Sequence, residues 1–372
     1  MLLDLVRMAA QVRIAINTGG GDAPGLNAVI HAVTLAAHRR GWEVLGIHTG
    51  YAGLLDTSRI TVLSPERVEG IVSHGGTLLG TTNRGDPFRF PVTDPASGRV
   101  TLEDVSDQVV ANFRKLGLDV LVAVGGDGSM SLAHRLSLKG LPIVGVPKTI
   151  DNDLSATLST FGFDTAVSTA TDAIDKLHST ASAHERVLVV EVMGRHAGWI
   201  ALHSGLSGSA DVILLPEVPF DIERVCRHLT ENEGRGKRYG IVVAAEGAQP
   251  KGSTALTKGA LAPGQAEPLL GGIAEWVAAE ITRRTGKETR SLVLGHLQRG
   301  GSPTAFDRLV ALRFGAAAVR FIAEGKRNVM VAFRPPEMVT VPLADAVTGI
   351  KRVPLDGDTV LTCRDLGISL SD

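Results

Sequence analysis

The chain alternates between two kinds of apolar pattern. One kind is short and rich in β-branched residues: 12–17 (VRIAIN), 119–124 (DVLVAV), 142–146 (PIVGV), 186–192 (RVLVVEV), 210–216 (ADVILLP), 239–245 (YGIVVAA), 290–295 (RSLVLG) and 328–333 (NVMVAF). These runs are apolar on both faces of a period of two, which fits strands of a covered parallel sheet. The other kind is amphipathic at helical spacing, from about Asn27 to Arg40, from the GGDGS run towards Leu138, and from about Asp164 to Ser182. Strands and helices in alternation predict an α/β protein, and 372 residues is long enough for two such units. Residues 247–268, rich in Gly, Pro, Ser and Ala, break the rhythm and read as a surface insertion.

Composition narrows the partners. A net charge of −1 gives no basic excess for nucleic acid or an anionic membrane. No uninterrupted apolar run reaches the roughly 18 residues of a membrane span. The opening MLLDLVRMAAQ contains Asp4 and lacks a basic start and a long apolar stretch, which argues against a signal peptide. Cys226 and Cys363 match no metal spacing, and a cytoplasmic setting fits them. The 43 glycines cluster after strands, where backbone must come close to a ligand.

Two glycine clusters follow a strand and open a helix. In NTGGGDAPGLN (17–27), Gly19, Gly20 and Gly21 let the chain turn tightly and present N–H groups to an anion. A plain strand-to-helix turn accounts equally well for this cluster by itself. In VGGDGSM (124–130), Asp127 stands between Gly126 and Gly128, with Ser129 next. That arrangement leaves room for a magnesium ion held by one carboxylate and a substrate's phosphates. An aspartate that only caps the next helix is the commoner use of such a turn. Neither cluster is a GxGxxG or a GxxxxGK[ST] motif, which disfavours dinucleotide and Walker-type sites.

The third strand ends in PKTIDND (147–153), crowding Lys148, Thr149, Asp151 and Asp153 together. One carboxylate suits proton abstraction from a hydroxyl, the other suits assistance to magnesium through water. Thr149 can hydrogen-bond a phosphoryl group in transit. An Asx-turn around Asn152 is the bland alternative. Phosphoryl transfer also needs cations, for which Arg84, Arg186, Arg195 and Arg299 are candidates, with His296 and Glu246 at further strand ends.

Taken in order, GGGDAPGLNAVI, GGDGS, PKTIDND, EVMGRHAGW, LPEVPF, AEG and LGHLQRGGSP resemble the phosphofructokinase family across roughly Val12 to Leu343. The resemblance implies two Rossmann-like three-layer αβα domains with mainly parallel sheets and an active site in the cleft between them. One would be a donor domain (12–162 plus 298–348), the other a fructose 6-phosphate domain (163–297 plus 349–372). It implies transfer of the terminal phosphoryl of ATP to the 1-hydroxyl of fructose 6-phosphate, a step of glycolysis. Asp151 would be the base, Asp127 and Asp153 the magnesium residues, and Thr149, Arg84 and Arg195 the groups that meet the moving phosphoryl. Met193, Gly194, Glu246, His296 and Arg299 would line the sugar pocket. Arg186 and Arg290 match arginines that reach a neighbouring subunit's sugar phosphate, implying a homo-oligomer, a dimer or a tetramer, with shared active sites.

The donor is implied by fewer residues. Gly20, Gly21, Gly126, Gly128, Ser129 and Lys148 would surround it, and Tyr51 would lie near an adenine or serve as ordinary core. Family members that use pyrophosphate carry aspartate at the position of Gly128 and lysine at that of Lys148, whereas short bacterial ATP users carry glycine at both. An aspartate at 128 would crowd a nucleotide's α-phosphate, so Gly128 favours ATP; Lys148 keeps pyrophosphate open. The 247–268 insertion and the segment beyond about Leu343 depart from the short bacterial pattern and resemble the actinobacterial or mixed-substrate branch. A catalytically silent sugar-phosphate-binding subunit is disfavoured, because Asp127, Asp151, Arg84 and Arg195 are all present.

Overall fold

The computed structural model describes residues 11–83, 85–95, 98–253, 255–257 and 270–372. Arg84 lies outside them, as do residues 254 and 258–268 of the expected insertion. The chain forms two compact units. The first comprises residues up to Thr149, Leu154–Gly162 and Gly301–Gly349; the second comprises Ile150–Asp153, Phe163–Gly300 and Ile350–Asp372. Ile150–Asp153 therefore clusters with the second unit, whereas the sequence reading kept all of 12–162 together.

The first unit begins with β1 (Arg13–Thr18), α1 (Leu26–His38), β2 (Glu43–Ile47) and β3 (Ile60–Leu63). A hairpin of β4 (Phe90–Thr93) and β5 (Val100–Glu103) follows, then α2 (Ser106–Lys115), β6 (Val120–Gly125), α3 (Asp127–Leu138) and β7 (Ile143–Pro147). The second unit supplies α4 (Phe163–His184), β8 (Val187–Val192), α5 (Trp199–Ser207), β9 (Val212–Leu214), α6 (Ile222–Gly234), β10 (Gly240–Ala245), α7 (Ile273–Thr285) and β11 (Thr289–Val293). The chain returns to the first unit for α8 (Ala305–Ala323), β12 (Val329–Arg334), β13 (Glu337–Pro342) and α9 (Leu343–Ala346), and ends in the second with α10 (Asp358–Asp365).

The first unit's sheet runs β13-β12-β7-β6-β1-β2-β3, parallel except where β13 and β3 close its edges antiparallel. Alternation along the strands divides the core. Ile14, Ile16, Val122, Val124, Val144 and Val146 pack under α1 and α8, while Ala15, Leu121, Ala123 and Ile143 pack under α2 and α3. Each fully buried Val, Ile or Leu contributes about 1.5–3 kcal/mol over exposure, which makes a one-residue slip of register prohibitive. The consequence for function lies between β1 and β6, which are direct parallel neighbours. Their following helices, α1 and α3, leave for opposite faces. At such a switch point the backbone at the strands' carboxyl ends stays uncovered.

The second unit's sheet, β11-β8-β10-β9, is wholly parallel. One face packs Val187, Val189, Leu214, Val242 and Ala244 against α6 and α7. The other presents Ile213 and Val243 to Gly205 of α5, where an added Cβ would lie 2.7 Å from Ile213. The edge at β9 is covered by the C-terminal tail: Ile213 N donates to Ser369 O and Ser369 N to Asp211 O, both at 2.9 Å.

Candidate active site

The first unit gathers its glycine loops at the β1/β6 switch point. Gly19 N donates to Val124 O at 2.9 Å, and Lys148 N donates to Gly125 O at 2.9 Å, so the ends of β1, β6 and β7 are stitched side by side. The fit is close enough to exclude side chains. A Cβ on Gly125 would lie 2.2 Å from Ser129 Cβ, and one on Gly19 would lie 2.8 Å from Ser129 Oγ. Gly20 adopts a left-handed φ of 76°, which glycine takes without the strain a side chain would bring. Gly126 lies against the Lys148 carbonyl, 3.2 Å from where its Cβ would be, and near Thr149.

Gly128 is different. A Cβ there meets nothing within 4 Å. Packing therefore does not require glycine at 128, and a longer side chain would project into open space beside the loop. Asp127 opens α3, where a carboxylate is favoured by the helix's positive end. Lys148 is 3% exposed, and its ammonium donates to the Gly21 carbonyl, next to Gly20. A buried ammonium at a glycine loop is costly unless it meets polar partners or an anion. Thr149 is buried and its carbonyl accepts from Thr160 Oγ1 at 2.7 Å. Tyr51 is core: it packs with Leu45, Leu54 and Met130, and its hydroxyl donates to Ser129 O at 3.1 Å. Burial pushes its phenol pKa up.

The second unit holds Asp151, Glu246 and the arginines Arg186, Arg195, Arg290 and Arg299. Glu246 follows β10, where its N–H donates to Val192 O and the Gly247 N–H donates to Gly194 O. This ties the Met193–Gly198 loop after β8 to the turn after β10. Gly194 needs its φ of 138°, and a Cβ on Gly247 would lie 2.0 Å from the Arg195 carbonyl. Met193 N donates to the side chain of buried Gln298 at 3.3 Å. Burial raises the Glu246 carboxyl to about 7; Asp151 and Glu191 add to the rise, and Arg195 and Arg299 oppose it. Glu246 therefore feels the charges of Asp151, Arg195 and Arg299. His296 is exposed on the turn Gly295–Arg299. Arg186 and Arg290 are joined through one acid: Glu288 pairs with Arg186 at 2.9 Å and with Arg290 at 2.8 Å. Arg186 chiefly, then Arg290, holds the Glu288 carboxyl below its ordinary range.

Three supporting acids were not singled out in the sequence: Glu191, Glu217 and Glu288. Glu191, 3% exposed, accepts from Gly272 N and Ala274 N at 3.1 Å each and so caps α7. A charge in the apolar run VLVVEV was its signal, since a buried carboxylate must find donors. Glu217 accepts from Gly198 N at 3.0 Å and Val353 N at 2.9 Å, a link that no local spacing reveals.

The residues fit a magnesium ion that arrives with phosphate. Among the described residues no group of three His, Cys, Asp or Glu could hold a metal. Asp127, flanked by Gly126 and the open side of Gly128, offers a single hard oxygen ligand, which suits magnesium bound mostly by phosphates and water. No helix of the described residues is long and apolar enough to cross a membrane.

The family model for Phosphofructokinase matches residues 13–322. An ATP-dependent 6-phosphofructokinase of Chloroflexus aggregans is 50% identical over 362 residues, covering 97% of this chain and 98% of that protein. A pyrophosphate–fructose 6-phosphate 1-phosphotransferase of Streptomyces coelicolor is 47% identical over 344 residues, covering 92% of this chain and 96% of that one. Among solved structures, Pichia pastoris phosphofructokinase in the T-state aligns with a TM-score of 0.78 at 32% identity, over 91% of this chain and 35% of the longer Pichia chain.

Proposed function

The chain belongs to the phosphofructokinase family, and from that premise we propose that it is an ATP-dependent 6-phosphofructokinase in which each unit holds one substrate. The first unit holds ATP and the second holds fructose 6-phosphate. Curated relatives at 45–50% identity, among them those of Chloroflexus and Synechocystis, bear the ATP-dependent name. Open space at Gly128 supports the same donor. Lys148 and the Streptomyces relative favour pyrophosphate as the second reading.

Asp151, Arg195 and Arg299, which lie in one unit with Glu246 and whose charges act on it, carry the mechanism. Asp151 takes the proton of the sugar's 1-hydroxyl as that oxygen bonds to the terminal phosphorus of ATP. The bond to the bridging oxygen breaks and ADP leaves with its electron pair. Arg195 and Arg84 receive charge on the moving phosphoryl, and Thr149 hydrogen-bonds it. Magnesium, when bound, neutralises the donor phosphates; Asp127 would hold it, with Asp153 acting through water. Catalysis here is positioning and electrostatics more than covalent chemistry.

Glu246, neutral or ionised near pH 7, bonds a sugar hydroxyl, and Met193, Gly194, His296 and Arg299 complete the pocket. Lys148 and the N–H groups around Gly20, Gly21, Gly126 and Ser129 face the donor's phosphates. The pair Arg186 and Arg290, poised on Glu288, serves the sugar phosphate of a neighbouring copy, so the working form is a homo-oligomer in the cytoplasm. Asp151→Ser tests the assignment. Its kcat should fall by a factor of about 100 or more while sugar binding persists. An unchanged kcat removes Asp151 as the base.

A further inference from the structure

The family match ends at residue 322, yet the chain continues and returns to the second unit. Ile350–Asp372 is anchored at its far end by Ser369 on β9 and by Asp221 N donating to Ser371 O at 3.0 Å. Its near end reaches the Asp151 turn. Lys351 N donates to Asp153 O at 2.7 Å, and Lys351 Nζ donates to Asn152 Oδ1 at 3.0 Å. Asn152 is buried and left-handed, with φ 49°. Lys351 is itself fixed. Trp199 Nε1 donates to its carbonyl at 2.8 Å, and its ammonium stands 5.6 Å from the indole centroid. Two residues on, Val353 N reaches Glu217, the carboxylate that also holds Gly198 at the end of the Arg195 loop.

We propose that Lys351, a residue outside the family match, is a positioning residue that holds the Asp151–Asp153 turn in its catalytic geometry. The proposal rests on Asp151 being the base. Lys351 grips two successive residues of that turn, one by its backbone N–H and one by its ammonium. The peptide at Asp153 and the side chain at Asn152 are thereby fixed together, and the carboxylate at 151 is carried on the same turn. A general base must stand within hydrogen-bond reach of the proton it takes. A displacement of about 1 Å at such a group costs up to about 100-fold in rate. Lys351 acts through Asn152 and Asp153, so its loss should appear in kcat and leave donor binding alone.

The test uses the full chain with ATP, magnesium and fructose 6-phosphate. Lys351→Met keeps the apolar stem against Trp199 and removes the ammonium. Its kcat should fall about 10- to 100-fold, with KM for ATP within about twofold of wild type, and Lys351→Arg should recover part of the loss. Asn152→Gly tolerates the left-handed backbone and removes the acceptor; it should lower kcat similarly. The double variant should be no slower than the slower single, because both remove one interaction. Full kcat in Lys351→Met beside a crippled Asp151→Ser overturns the positioning role alone. Additive losses in the double variant, or a lowered thermal midpoint with kcat per folded enzyme unchanged, also overturn it. An Asp151→Ser enzyme at full kcat overturns the base assignment instead.

Discussion

The two units present their chemistry in opposite ways. As proposed, the first unit meets its donor mostly with backbone, Asp127 and Lys148 apart: Gly19, Gly20, Gly125 and Gly126 pack so closely around Ser129 and Lys148 that no side chain fits at Gly19 or Gly125. The second, as proposed, meets the sugar phosphate with side chains, and two acids brace the structure around them, buried Glu191 and half-buried Glu217. Glu191 caps α7, and Glu217 ties Gly198 to Val353. Phosphate groups can be read by N–H dipoles with no side chain at all. A proton, by contrast, must be taken by a group of suitable pKa at a fixed place. The first unit should therefore suffer when atoms are added, and the second when atoms are removed or charges changed.

Gly125→Ala should break the first unit's half of this contrast most severely. Its Cβ would lie 2.2 Å from Ser129 Cβ, so α3 must move. We expect kcat/KM for ATP to fall by about 100-fold and stability to drop by about 1–3 kcal/mol, read by kinetics and thermal melting. A near-normal enzyme would show that the loops are not tightly set.

A smaller and more selective effect belongs to Gly128. Because nothing lies within 4 Å of its Cβ, Gly128→Ala should fold normally. Gly128→Asp should raise KM for ATP by about tenfold or more, a cost of about 1.4 kcal/mol or above, and affect pyrophosphate use much less. Equal losses for both donors would remove the steric account of donor choice.

Sequence alone carried much of this contrast. Each of the eight apolar runs became a strand; seven of these strands are mostly buried, while β11, at a sheet edge, is exposed from Arg290 to Val293. The edges were harder. β3, β13 and the β4–β5 hairpin contain exposed positions, and β5 is exposed at every residue, so no core pattern marks them. Glycine loops were legible because each serves the turn in which it sits. Glu217 and Lys351 were not, since their partners lie 19 and 136, or 152 and 199, residues away. Tyr51 could be read as adenine contact or core; its burial beneath Ser129 decides for a supporting place.

The smallest expected effect concerns the second unit's acid. Glu246 has a folded pKa of about 7 against an ordinary 4.5, mainly from burial. Its protonated form therefore contributes stability that is complete below about pH 4.5 and is lost as pH rises through about 7. Glu246→Gln keeps the neutral form at every pH. Relative to wild type, the variant should gain about 1–3 °C in thermal midpoint between about pH 5.5 and pH 8.5. A difference that does not change with pH would show that Glu246 titrates normally.

The most direct measurement is the initial rate of fructose 1,6-bisphosphate formation by the purified chain with fructose 6-phosphate and magnesium, with ATP in one arm and pyrophosphate in the other. The account predicts kcat/KM for ATP at least about tenfold above that for pyrophosphate, a difference of about 1.4 kcal/mol in transition-state stabilisation. Equal or faster turnover of pyrophosphate, or no product from either donor, would contradict it.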